Sequence, residues 1–285
     1  MKPAAFAYAK AKSVAHAIEL LGHTDGARII AGGQTLLAAL NMRLDAPSLL
    51  VDLNGILGLD GIVLKHGQVE IGALTRHATV ERSEVIARHA PLIARAVPHI
   101  GHPAIRNRGT IGGSIANADP AAELPACLVA LRGEIDISGP DGARTVTADS
   151  FFKDLFETEL GAWDVLTAVR VPAATPDTRV GFAEFSRRHG DYAIAGLAAC
   201  GHANDKALAE VRLVYFGLGV TPVRAHKAEA VLSGAAIDDK RIAQAVAALA
   251  DDLTPPGDLN ASAEVRKHLA GVLLKRVARQ LAEPL

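Results

Sequence analysis

Apolar positions three and four apart at Val14, Ile18 and Leu21 predict a helix that opens after Ser13 as N-cap and closes at Gly22. The run from Arg28 to Ala31 predicts a short buried strand. Gly32-Gly33 predicts a turn, and Thr35 to Leu44 a helix that starts at once; the apolar run LLVDL then ends at the turn signal Asn54-Gly55. Between Ile62 and Ser138 the pattern alternates in twos at VEIGA (from Val69) and EIDIS (from Glu134). It is helical from Val80 to Ala90 and broken by a second glycine turn at Gly112-Gly113. The segment VPAATPDTRV, Val171 to Val180, is rich in Pro, Thr and Asp and marks a domain boundary. Beyond it GFAEFSRR, IAGLAACGHA and VRLVYFGLGV predict three strands. Helices follow, with Ile242, Val246, Leu249 and Leu253, then Val265, Leu269, Leu273, Val277 and Leu281, at helical spacing. Strands followed by helices predict a sheet with helices on one face.

A chain of 285 residues exceeds one ordinary core, so two domains are expected: 1–175, with α+β subdomains at about 1–57 and 58–175, and a smaller α+β domain at 176–285. A net charge of -1 provides no basic excess for phosphate polymers, so nucleic acid is not an expected partner. Cys127 and Cys200, far apart and without a CxxC neighbour, cannot assemble a disulfide framework or an iron-sulfur site. The N-terminal sequence MKPAAFAYAK lacks an apolar signal region, and no uncharged apolar run approaches the roughly 20 residues that span a bilayer. The expectation is a cytoplasmic protein without a transmembrane segment, any association with the inner face of a membrane being supplied by partners.

Two runs carry candidate chemistry: Ala31-Gly32-Gly33-Gln34-Thr35 and Thr110-Ile111-Gly112-Gly113-Ser114. Paired glycines let consecutive backbone N–H groups converge on an anion such as a diphosphate, and a helix N-terminus adds its dipole. Either pair alone also reads as a tight turn. There is no G-x-G-x-x-G after a strand and no G-x-x-x-x-G-K-[ST], which argues against a Rossmann site and a P-loop. His99 and His102 form an H-x-x-H without a third ligand, so no metal site is expected. Gly112-Gly113-Ser114-Ile115-Ala116 lacks the last glycine of a nucleophile elbow, so a serine hydrolase is not expected either.

The longer runs IIAGGQTLL and IRNRGTIGGSIANADPAAELPA resemble the paired flavin motifs of the molybdenum hydroxylase medium subunits, the carbon monoxide dehydrogenase and xanthine dehydrogenase family. Further landmarks follow in the family's order: Asp164-Val165-Leu166, Arg187 to Ala193, Thr221 to Ala225, and Ala261 to Glu264 with Arg266. The resemblance implies a vanillyl-alcohol oxidase and p-cresol methylhydroxylase type of FAD-binding domain, followed by a domain with a three-stranded antiparallel sheet and helices. It places Ala31, Gly32, Gly33, Gln34, Thr35 and Leu36, with Thr110, Ile111, Gly112, Gly113, Ser114 and Ala116, along the FAD diphosphate and ribityl chain. Glu123, with Asp119 as competitor, would hydrogen-bond a flavin hydroxyl. Leu166, Asp191 and Tyr192 fall at the isoalloxazine. Val265 stands where the family often has Tyr, and Ser114 where it often has Asn.

The implied protein is an electron-transfer subunit with no catalytic residue of its own for substrate chemistry. It would bind FAD non-covalently, because neither glycine motif contains a His, Cys or Tyr placed to tether it. The implied partners are a large molybdenum-cofactor subunit and a small subunit with two [2Fe-2S] clusters, in an (αβγ)2 assembly that delivers electrons to an external acceptor. The alternatives are a stand-alone flavin oxidase of the same fold and a scaffold without flavin.

Overall fold

The computed structural model describes residues 2–204 and 207–284. The first 57 residues fold as β1 (Ala7–Lys10), α1 (Val14–Gly22), β2 (Ala27–Ile30), α2 (Leu36–Asn41) and β3 (Leu49–Asp52). The three strands make a parallel sheet in the order β1-β3-β2, with β3 central and buried. Ser13 caps α1, its hydroxyl accepting from His16 N–H, and Ala17 and Leu21 face the sheet.

The middle region opens with the hairpin β4 (Ile62–Lys65) and β5 (Gln68–Gly72). Six short helices follow: α3 (His77–Glu81), α4 (Glu84–His89), α5 (Pro91–Ala96), α6 (Pro103–Arg106), α7 (Ile111–Asn117) and α8 (Glu123–Ala130). The helical stretch expected from Val80 to Ala90 is two helices, because Ser83 stops one and caps the next through Ile86 N–H. Then come β6 (Glu134–Gly139), β7 (Gly142–Thr147), α9 (Ala148–Phe151), the small pair β8 (Phe152–Asp154) and β9 (Glu157–Thr158), and β10 (Val165–Pro172). A five-stranded antiparallel sheet, β4-β5-β10-β6-β7, places β10 at its centre. Gly112-Gly113 is not the expected turn: both glycines lie in the first turn of α7, which begins one residue after Thr110.

After residues 173–177, β11 (Thr178–Phe185), β12 (Ala195–Asn204), β13 (Ala207–Phe216) and β14 (Val223–Arg224) form an antiparallel sheet, followed by α10 (His226–Leu232), α11 (Asp239–Asp252) and α12 (Ala263–Leu281). The three long strands match the expectation; β14 is a two-residue addition at the edge, beside β13. Period-two alternation sorts their side chains. Ala195, Leu197, Ala199, Leu213 and Tyr215 pack with α10, α11 and α12, whereas Ala198, Cys200, Val214 and Phe216 join the core of the middle region. Both faces of this sheet are therefore covered, not one, and its second face makes a continuous hydrophobic junction with α5 and α8. No helix among the described residues is long and apolar enough to cross a membrane.

Arg266 ties the third region together. Buried near the start of α12, it donates to the carbonyls of Ile194 and Gly217 and to Asp258 at 2.6 Å. Its hydrogen bond, with two backbone N–H groups behind it, holds the Asp258 carboxyl down to about 2. A carboxyl depressed on folding adds stability above its unfolded value, and that stability drains away as pH falls through the folded value. The thermal midpoint difference between wild type and Asp258→Asn is therefore expected to be constant above pH 5 and to shrink as pH falls from about 4 towards about 2; a difference independent of pH would contradict this pairing.

Candidate functional site

The two glycine runs meet. A Cβ built on Gly32 would lie 2.5 Å from the Arg108 carbonyl oxygen and 2.8 Å from Gly109 Cα, so only glycine permits this approach of one backbone to the other. Gly33 has φ +71, the left-handed turn that aims the chain into α2. The backbone N–H groups of Gly32, Gly33, Gln34 and Thr35 donate to no partner among the described residues, although Gly32 itself is buried. Unspent donors in a row can take an anion where they converge on one point.

The second run is built differently from the expectation. Ile111 N–H donates to Thr75 O, Gly112 N–H to Ala73 O, Gly113 N–H to the Thr110 hydroxyl at 3.1 Å and Ser114 N–H to Thr110 O. The donors from Ile111 to Ser114 are already spent, leaving the Thr110 N–H alone without a partner among the described residues, so the run is not a second open row. The glycines serve close packing instead: a Cβ on Gly112 would fall 2.5 Å from Ala73 Cβ, and one on Gly113 2.8 Å from Thr110 Oγ1. What this run can offer a ligand is Ser114 and Ala116, both half-buried, and the surface of a helix turn pinned to Ala73–Thr75.

The segment between α7 and α8 brings in the acidic candidates. Asp119 is half-buried and accepts from Ala121 N–H at 2.9 Å; burial raises its pKa. Glu123, the first residue of α8, is 7 % exposed, and burial first, then the nearby charge of Glu184, pushes its carboxyl up to about 8. It is therefore neutral at pH 7, and a neutral carboxyl can donate a hydrogen bond to a hydroxyl.

The third region reaches over from the other side. Gly190, at φ +87, packs so closely on Gly101 that a Cβ would sit 2.7 Å from its carbonyl oxygen. This seats the loop between β11 and β12, with Asp191 and Tyr192, beside the middle region. Tyr192 is 66 % exposed and lies near Thr35; desolvation, then Asp119 and Glu123, raise its phenol pKa. Between the regions lies a cavity of about 580 Å³ lined by Asp119, Arg187, Asp191, Tyr192, Asp258 and Arg266, among others. The fold thus gathers Thr35, Asp119, Glu123, Asp191 and Tyr192 from three regions. Leu166 stands apart: on the central strand β10 it is 6 % exposed within the middle core.

Several residues of the site carried no sequence signal. Asn54, read only as a turn residue, donates from Nδ2 to Ala31 O at 2.8 Å and accepts at Oδ1 from Arg76 Nη2 at 2.6 Å. His77 is buried beneath Gly109, desolvation holding its pKa down to about 4, so the ring is neutral. His99, one of the dismissed H-x-x-H pair, is 3.3 Å from buried Glu184 of β11 and tilts against Phe182 and His189, joining two regions. Among the described residues no cluster of His, Cys, Asp and Glu is placed to hold a metal ion.

The family described as the FAD binding domain in molybdopterin dehydrogenase matches residues 4–174, and the carbon monoxide dehydrogenase flavoprotein C-terminal domain matches residues 181–281. Subunit alpha of the 6-hydroxypseudooxynicotine dehydrogenase complex of Paenarthrobacter nicotinovorans is 40% identical over 287 residues, covering 100% of this chain and 96% of its own. A carbon monoxide dehydrogenase from Hydrogenophaga pseudoflava superposes with TM-score 0.96 at 35% identity, over 99% of this chain and 98% of that one. Quinoline 2-oxidoreductase from Pseudomonas putida 86 does so with TM-score 0.94 at 34% identity, over 99% and 98%. The chain belongs to the FAD-binding medium subunits of the molybdenum hydroxylases of the carbon monoxide dehydrogenase and xanthine dehydrogenase type, the oxidoreductase subunits that transfer electrons.

Proposed function

We propose that this subunit holds FAD non-covalently, with the diphosphate on the N–H groups of Gly32 to Thr35 and the isoalloxazine beside Tyr192. The observation that supports this most strongly is the row of four unspent N–H groups on a loop whose backbone is locked against Arg108 and Gly109. When bound, FAD supplies the exchange between single-electron carriers and two-electron acceptors. The chain's own residues position it. Ala31 and Leu36 flank the row of donors, and the Thr110–Ser114 turn with Ala116 forms the opposing wall. Glu123, neutral at pH 7, donates to a flavin hydroxyl, with Asp119 beside it. Asp191 sets the loop that presents Tyr192, and Leu166 supports the site from the core behind it, through β10. Residues 1–175 act as the FAD-binding domain, in two subdomains that meet near residue 57, and 176–285 as the C-terminal domain that closes the cleft.

The partners in this reading are a large subunit with the molybdenum cofactor and a small subunit with [2Fe-2S] clusters, in an (αβγ)2 assembly within the cytoplasm. Electrons arrive from the small subunit and leave to an external acceptor. Relatives named for a nicotine derivative, carbon monoxide and quinoline share the whole length of this chain. So broad a set of substrates on one scaffold supports a substrate pocket on another subunit.

The purified full-length chain is expected to carry about one FAD that acid precipitation releases, and to turn over no purine, N-heterocycle, aldehyde or carbon monoxide by itself; turnover by this chain alone would favour an oxidase. Tyr192→Ala should weaken FAD by roughly tenfold at most, since an aromatic contact contributes about 0.5–1.5 kcal/mol, and should alter the flavin visible band. An unchanged spectrum and affinity would place Tyr192 away from the ring. Glu123 supplies a pH test. A carboxyl raised on folding costs stability as pH climbs from its ordinary 4.5 through about 8. The FAD-free Glu123→Gln variant should therefore gain thermal midpoint over wild type progressively from pH 5 to pH 9, and parallel curves would refute a buried neutral Glu123.

A further inference from the structure

The geometry points to Asn54 and Arg76 as a positioning pair that aims the Gly32 N–H at the ligand and holds the two glycine-bearing loops at the spacing of the cradle. This rests on the reading that the FAD diphosphate is held at Gly32 to Thr35.

Asn54 lies just after β3 and Arg76 just before α3, so the pair joins the first region to the second. The Asn54 amide donates to the Ala31 carbonyl at 2.8 Å and to Asp52 Oδ1 at 2.6 Å, and its oxygen accepts from Arg76 Nη2 at 2.6 Å. The other Arg76 terminal nitrogen, Nη1, donates to the Arg108 carbonyl. That carbonyl is the one against which Gly32 is packed. The backbone of Arg76 also forms an isolated bridge with Thr110, and flanking bonds run from His77 N–H to Gly109 O and from Ile111 N–H to Thr75 O. One residue therefore grips residues 108–111 by main chain and side chain together.

The consequence for the row of donors follows from peptide planarity. The Ala31 carbonyl and the Gly32 N–H belong to one trans unit and point in opposite directions. A hydrogen bond that draws the carbonyl towards Asn54 aims the N–H away from it, into the row of unspent donors. The orientation of the Asn54 amide is fixed in turn. Its backbone N–H donates to Asp52 Oδ1 at 2.8 Å, and Tyr8 Oη donates to the other Asp52 oxygen at 2.6 Å. Polar chains of this kind, in which each member fixes the next, act as a unit rather than as separate contacts. All these atoms are engaged by protein, so Asn54 and Arg76 act through the loops.

The test uses the full-length chain freed of FAD and titrated with FAD, binding being read from the visible band and flavin fluorescence. Asn54→Ala and Arg76→Met should each weaken FAD by about tenfold or more, about 1.4 kcal/mol per decade. The double variant should be no weaker than the weaker single within about twofold, since members of one network do not add. Asn54→Asp, which keeps the acceptor for Arg76 but turns an oxygen on the Ala31 carbonyl, should fail as Asn54→Ala does. The FAD-free variants should still unfold in one cooperative transition, its midpoint lowered by what the lost hydrogen bonds cost, and the loss of affinity should persist at temperatures well below that midpoint, where the chain is fully folded. The assignment is overturned if wild type binds FAD and either single variant binds equally well, if the losses multiply in the double, or if affinity returns to the wild-type value at temperatures where the variant is fully folded. A wild-type chain that binds no FAD would instead overturn the flavin reading, and this pair with it.

Discussion

The site depends on one backbone-to-backbone contact, Gly32 on Arg108 and Gly109. Two chain segments nearly 80 residues apart approach closer than any side chain allows, and everything charged or polar in the cleft is arranged around that approach. On one side the contact leaves a loop whose N–H groups are unspent; on the other it presents a helix turn whose N–H groups from Ile111 to Ser114 are bonded within the protein. The contact is therefore asymmetric: a loop with unbonded N–H groups meets a helix turn whose N–H groups are bonded. That turn is pinned by its bonds to Ala73 and Thr75, at the end of β5 in the antiparallel sheet.

The third region completes the cleft through hydrophobic burial. Its sheet has no solvent-facing side: one face packs on its own helices, and the other shares the core of the middle region through Ala198, Val214 and Phe216. A junction built from core residues fixes the loop that carries Tyr192 far more firmly than surface ion pairs could. Within that apolar junction the ionisable groups are few. Glu123 stays neutral there because burial and Glu184 both disfavour its charge, and His99 lies against Glu184 across the boundary.

Much of this was legible in the sequence. Helical and two-residue periodicities marked α1, β5, β6 and the long strands of the third region, and paired glycines marked both loops. What they could not convey was how each loop spends its donors. A glycine pair looks alike whether it leaves its donors unbonded, as at Gly32-Gly33, or fills a helix turn against Ala73, as at Gly112-Gly113. Periodicity also missed the break at Ser83, which is a capping event, and the edge strand β14, too short to carry a pattern. Asn54, Arg76 and His77 were illegible for a plainer reason: their roles come from segments that meet only in space.

The two glycine loops divide on which of them takes the ligand's diphosphate, the loop after β2 or the turn that opens α7. Amide hydrogen exchange of the full-length chain with and without FAD tests this at single-residue level. With the diphosphate on the loop after β2, Gly32, Gly33, Gln34 and Thr35 become strongly protected on binding, while Ile111, Gly112 and Gly113 are already slow and change little. Protection at Ile111 to Gly113 without protection at Gly32 to Thr35 would contradict that placement.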